Sequence, residues 1–165
     1  MQLQELFDYK NKLMEILLTN EKIIELLDEE ISLTDAPRLA YTQVFPYEYI
    51  PETVNEGQTF ICFDVDVSDV VNKTFLKPTL YIWVFTHRSK LRLPNGAGVR
   101  TDRLTSRICE LINGSFEFGA GALELASVRR FAPMTDFQGK QLTFRAVEIN
   151  RFYDPHKTLP TNRRV

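Results

Sequence analysis

Two carboxylates come first among the residues that could do chemistry. In Phe63-Asp64-Val65-Asp66-Val67-Ser68-Asp69, Asp64 and Asp66 stand two positions apart. On a strand both project from one face, where their oxygens could hold Mg²⁺. A metal-dependent phosphatase or nuclease can be built on such a pair. The residues that usually complete such a site are missing, and the same alternation describes the solvent face of a half-exposed strand. Histidine is scarce. His87 and His156 belong to no His-x-x-x-His pattern, and Cys62 and Cys109 to no Cys-x-x-Cys pattern, whereas zinc needs three or four N or S ligands. No Gly-x-Ser-x-Gly elbow supports a nucleophilic triad, and His87 at a strand end reads as a solvated or capped residue. Gly96-Ala97-Gly98-Val99-Arg100-Thr101 precedes a helix, where phosphates bind, but the P-loop Lys is absent. It reads as a mobile loop. These residues predict no catalytic residue, no metal and no cofactor.

The elements that would carry these residues follow from periodicity. Residues 2–18 form an amphipathic helix with Leu3, Leu6, Phe7, Leu13, Met14, Leu17 and Leu18 on its apolar stripe. Asn20 caps a second helix that runs out in Asp28-Glu29-Glu30. Pro37, Pro46 and Pro51 break residues 31–57, which read as an extended segment on the domain surface. Residues 58–68 alternate as a strand, with Ile61, Phe63, Val65 and Val67 on one face. Residues 79–87 are apolar on both faces and predict a central strand. A basic loop at 88–100 leads into a helix over Thr101–Asn113, with Leu104, Ile108, Leu111 and Ile112 on one face, the first three expected to be buried against the sheet, and Gly114 just past its end. Two more strands, near 122–132 and 141–151, flank a hairpin loop at Thr135–Lys140.

The expected fold is therefore α+β. It is a mixed or antiparallel four-stranded sheet of two hairpins, packed by helices in the order α-α-β-β-α-β-β. One domain spans 1–165, with its N-terminal helices within 2–28 and an extended tail at 152–165.

With 44% hydrophobic and 25% charged residues the chain has a globular composition. The N-terminal residues are acidic rather than signal-like, and no run approaches a membrane span. Both predict a cytoplasmic setting with no membrane partner. A net charge of −2 argues against nucleic-acid binding as the main task. Charge is uneven, however. Residues 1–30 carry eight acids and three Lys, a net of −5, and residues 88–107 carry six bases and one acid, a net of +5. Such polarity suits a head-to-tail contact between identical subunits. The candidate contact residues are Arg88, Lys90, Arg92, Arg100 and Arg103, with Phe45, Tyr47 and Tyr49 supplying apolar area.

The segment from Leu80 to Arg151 resembles tail-terminator proteins of long-tailed bacteriophages. The resemblance is carried by Tyr81-Ile-Trp-Val-Phe-Thr-His87, the Gly-containing loop, Arg100 through Gly114, Phe118-Gly-Ala-Gly-Ala-Leu-Glu-Leu125, Val128-Arg-Arg-Phe131 and Leu142-Thr-Phe-Arg-Ala-Val147. The N-terminal helices, through Leu17-Leu-Thr-Asn20-Glu-Lys-Ile-Ile24, are similar to the start of phage neck proteins. The resemblance implies a structural virion protein, assembled in the host cytoplasm as a homo-hexameric ring. That ring caps the tail tube, stops its polymerisation and joins the tail to the head connector or stopper. DNA passes its lumen without sequence-specific binding, and no residue is catalytic. Two alternatives stay open: another head-tail connector, of the head-completion or stopper kind, and an enzyme using Asp64 and Asp66.

Overall fold

A computed structural model describes residues 3–52, 57–69 and 74–149. The tail at 152–165 and His156 lie outside them. The fold is α+β, as the periodicity predicts. Helices α1 (Leu3–Leu18) and α2 (Glu21–Leu27) are followed by strands β1 (Val44–Phe45), β2 (Thr59–Asp69) and β3 (Phe75–His87). Helix α3 (Arg100–Ile112) then leads to β4 (Glu124–Phe131), β5 (Phe137–Arg145) and β6 (Glu148–Ile149). The sheet order is β1-β2-β3-β5-β4, with β6 paired to the start of β3. All neighbours are antiparallel except β1, which runs parallel to β2.

The sheet thus has six strands rather than four. The two extra ones are two residues each, too short for alternation to register in sequence. The central place of β3 agrees with its two-faced apolar run: Ile82 pairs with both Phe63 and Leu142.

Helices cover one face. Ile61, Phe63 and Val65 of β2, Leu80, Ile82 and Val84 of β3, and Leu142 and Phe144 of β5 pack there. They meet Leu13 and Leu17 of α1, Ile23, Ile24 and Leu27 of α2, and Leu104, Ile108 and Ile112 of α3. Leu111, expected in the core, is only partly buried, because Ile112 takes the inward position. Phe7 departs further from its expected stripe. It is 58% exposed, on the outer side of α1. The opposite sheet face holds a second, aromatic cluster of Phe60, Cys62, Phe85 and Phe137 under Phe45.

The proline-broken segment is not a surface strap. Ala36, Leu39 and Val44 are fully buried, and β1 adds to the sheet edge. Buried Gln43 explains the path. Its side-chain amide donates to the carbonyls of Leu27 (3.3 Å) and Thr59 (3.2 Å), tying the end of α2 to the start of β2. The 135–140 hairpin is likewise shorter than its Gly and Asp suggest, since β5 already begins at Phe137. Gly139 sits in mid-sheet between Phe85 and Phe131. A Cβ there would lie 1.8 Å from the Val84 carbonyl oxygen, so close backbone approach, not a turn, calls for glycine.

Candidate functional site

The residues suspected of chemistry are built into the scaffold. Asp64 is held by Lys10 of α1 (Nζ–Oδ1 2.5 Å), and the same oxygen accepts the Val65 N–H (2.8 Å). Asp66 is exposed beside it. Among the described residues no cluster of three or more His, Cys, Asp or Glu is placed to hold a metal ion. His87 is buried and acts as a local cap: Nδ1 lies 2.8 Å from Ser89 Oγ and accepts the Ser89 N–H, while the ring meets Phe137 edge-on. Cys62 contacts the Tyr49 carbonyl, and burial pushes its thiol up to about 12, far from a reactive thiolate.

The basic segment 88–107 has local hydrogen-bonded structure. Two single-turn helices, Arg88–Lys90 and Pro94–Gly96, shape it, and the Leu93 N–H donates to Gly98 (2.9 Å). Arg100, one of the candidate contact residues, is buried at 4% exposure. Its Nε donates to the Lys90 carbonyl (2.9 Å) and its Nη1 to the Leu26 carbonyl (2.7 Å), while Nη2 pairs with Glu29 Oε1 (2.7 Å). The guanidinium hydrogen bond holds the Glu29 carboxyl below its ordinary pKa. A cation bound to the Leu26 carbonyl in the last turn of α2 also complements the negative end of that helix. Nearby, Arg107 Nε donates to Asn20 Oδ1 (3.3 Å).

One ion pair between the two charged regions lies inside the chain: Arg100 meets Glu29 just past α2, where α2 packs against α3. Between them runs a groove of about 620 Å³ with mixed lining, including Lys22, Glu25, Arg103 and Glu110. The eight candidate contact residues therefore divide. Arg88, Lys90, Arg92, Arg103 and Tyr47 are exposed, with Arg88 paired to Asp136 and Arg103 Nε donating to Ala97. Arg100 and Phe45 are internal and cannot meet a neighbour. Tyr49 is half-buried and stacks on Phe45, ring centres 4.0 Å apart.

No candidate contact residue lies on β4, the one strand with no buried residue among those described. None of its residues is buried, and Leu125 and Val128 are 36% and 46% exposed. It ends the sheet, so its outer backbone edge has no strand partner among the described residues. The signal was Arg129-Arg130: adjacent charges on a strand place one on each face, which only a strand wet on both sides tolerates. Among the described residues no helix is long and apolar enough to cross a membrane.

A protein-family model named YomW matches residues 10–146, more than half of the chain. No curated protein matches it.

Proposed function

Since the chain belongs to the YomW family, a phage-derived family, we propose that it is a structural virion protein of the neck, a ring-forming tail terminator. In this role it caps the tail tube, stops tube growth and offers a surface to the head connector or stopper, while DNA passes the lumen. The observation that carries the reading is the form of the sheet. One end is blunted by the short parallel β1, and the other is an uncovered strand, β4, paired to β5 along one edge only and exposed on both faces. A monomer gains nothing from such an edge, and proteins usually blunt or cover theirs. A subunit designed to be covered by its neighbour keeps one open. The engagement of Asp64 by Lys10 supports reading the acidic pair as scaffold rather than as a metal site.

Tube-length measurement tests the role. Tail-tube protein polymerised with increasing amounts of this protein should give shorter tubes, with a ring at one end by negative-stain microscopy. Tubes of unchanged length and bare ends would remove the terminator reading. Mg²⁺ binding by calorimetry that disappears in the double variant Asp64→Asn, Asp66→Asn would move the assignment to a metal-dependent enzyme.

A further inference from the structure

We infer that β4 of one copy is covered by helix α1 of the next, so that the helical layer continues from subunit to subunit. The helical layer covers the middle of the sheet and stops short of β4. Helix α1 packs on β2, and α3 packs on β3 and β5. On β4, Leu125 pairs with Phe144, Val128 with Leu142, and Arg130 with Lys140. Phe144 and Leu142 lie in the helix-covered core, so Leu125, Val128 and Arg130 point to that same side. They sit just beyond the last helix, where a further helix would bury them.

The occupant is a second copy of this chain, because α1 carries the complementary surface. Its exposed positions are Gln4, Phe7, Asp8, Asn11 and Glu15. At 100° per residue these fall within one narrow arc. That arc holds one large apolar side chain, two acids and no base. Among the described residues neither Asp8 nor Glu15 forms an ion pair, and neither does Arg130. Gln4 to Glu15 spans about 16 Å of helix and Leu125 to Arg130 about 16 Å of strand, so the surfaces match in length. Phe7 would enter the Leu125–Val128 strip, with the acids facing Arg130. Since α1 packs on β2 and β4 lies at the other end of the sheet, the contact is heterologous, and a suitable rotation closes it into a ring.

This inference rests on the subunit self-assembling, and a charge exchange in trans separates the two ideas. Wild type, Arg130→Glu alone, Asp8→Lys with Glu15→Lys alone, and an equimolar mixture of the two variants are sized by mass photometry over a concentration series. All the changed side chains are exposed, and circular dichroism checks that each variant folds. Wild type should assemble, and each variant alone should need at least about tenfold more protein, since opposed like charges are strongly unfavourable. The mixture should return to near the wild-type midpoint, because altered strand then meets altered helix while native strand meets native helix. If each variant assembles like wild type, or the mixture stays as weak as its parts, the α1–β4 contact is wrong and ring formation stands on some other surface. A wild type that remains monomeric throughout overturns the contact and self-assembly together.

Discussion

Arg100 offers the sharpest test of how this domain is held together. Its side chain is only 5% exposed and serves two backbone carbonyls and one carboxylate, whose own side chain is 53% exposed. Replacing it by Met fills most of the volume but leaves the Leu26 and Lys90 carbonyls without their donor. An acceptor left unsatisfied in a buried place costs roughly 1–3 kcal/mol. Water entering from the adjoining groove returns part of that, so Arg100→Met should destabilise by about 2–4 kcal/mol. For a chain of this length that lowers the melting temperature by about 5–15 °C. Arg100→Lys keeps the charge but not the planar fork, and should recover only part of the loss. Glu29→Gln should cost far less than Arg100→Met, because the carboxylate is largely solvated and its pair is screened. The Glu29 pKa is lowered in the folded state, so its contribution is present above the unfolded value and is lost as pH falls through the folded one. Arg100→Met should therefore flatten the acid limb of the stability profile. Urea unfolding of the three variants against pH measures all of this. Equal losses for Glu29→Gln and Arg100→Met would show that the ion pair, not the carbonyl clamp, carries the energy.

Three further outcomes are expected. Ile108→Ala removes a fully buried side chain between α3 and the sheet and should cost about 2–4 kcal/mol in urea unfolding; a cost under about 1 kcal/mol would mean that α3 is loosely packed. Gly139→Ala forces a Cβ onto the Val84 carbonyl and should cost at least about 3 kcal/mol or prevent folding, with near-wild-type melting as the refuting result. Cys62 should resist thiol reagents at pH 8 while the partly buried Cys109 reacts first. Because the Cys62 pKa is raised from 9 to about 12, its contribution to stability should be intact below pH 9 and decline towards 12.

Much of the architecture was legible because long elements announce themselves by period. The stripes of α1 and α3, the Asn20 cap and the two-faced β3 run all appear where the pattern puts them. What the pattern hid has physical causes. Phe7 counts as one more apolar residue in a helix stripe, and only its angle around the helix turns it outward. Gly139 resembles a turn residue, although its role is close packing between strands. Arg100 resembles a solvated charge until three acceptors converge on it. The Arg100–Glu29 pair was hidden for a similar reason: separation along the chain says nothing of distance in space, and α2 folds back onto α3. The open surface of β4 was present in the adjacent arginines, but local composition gives no sheet order, and only the end position makes them exposed.

The sheet order also has a consequence for how the chain finds its fold. The β2–β3 and β4–β5 pairs are hairpins whose partners are near in sequence, and each can form early. The seam between β3 and β5 joins Thr79 to Arg145 and His87 to Phe137 across the whole of α3 and its loops. Closing that long loop is entropically the dearest step. Until it closes, each hairpin presents a bare inner edge, and β3 is the more apolar of the two. Refolding should therefore be limited by the docking of the two hairpins, with α3 laid across the join. In that interval the nascent chain is most exposed to pairing with the wrong copy of itself.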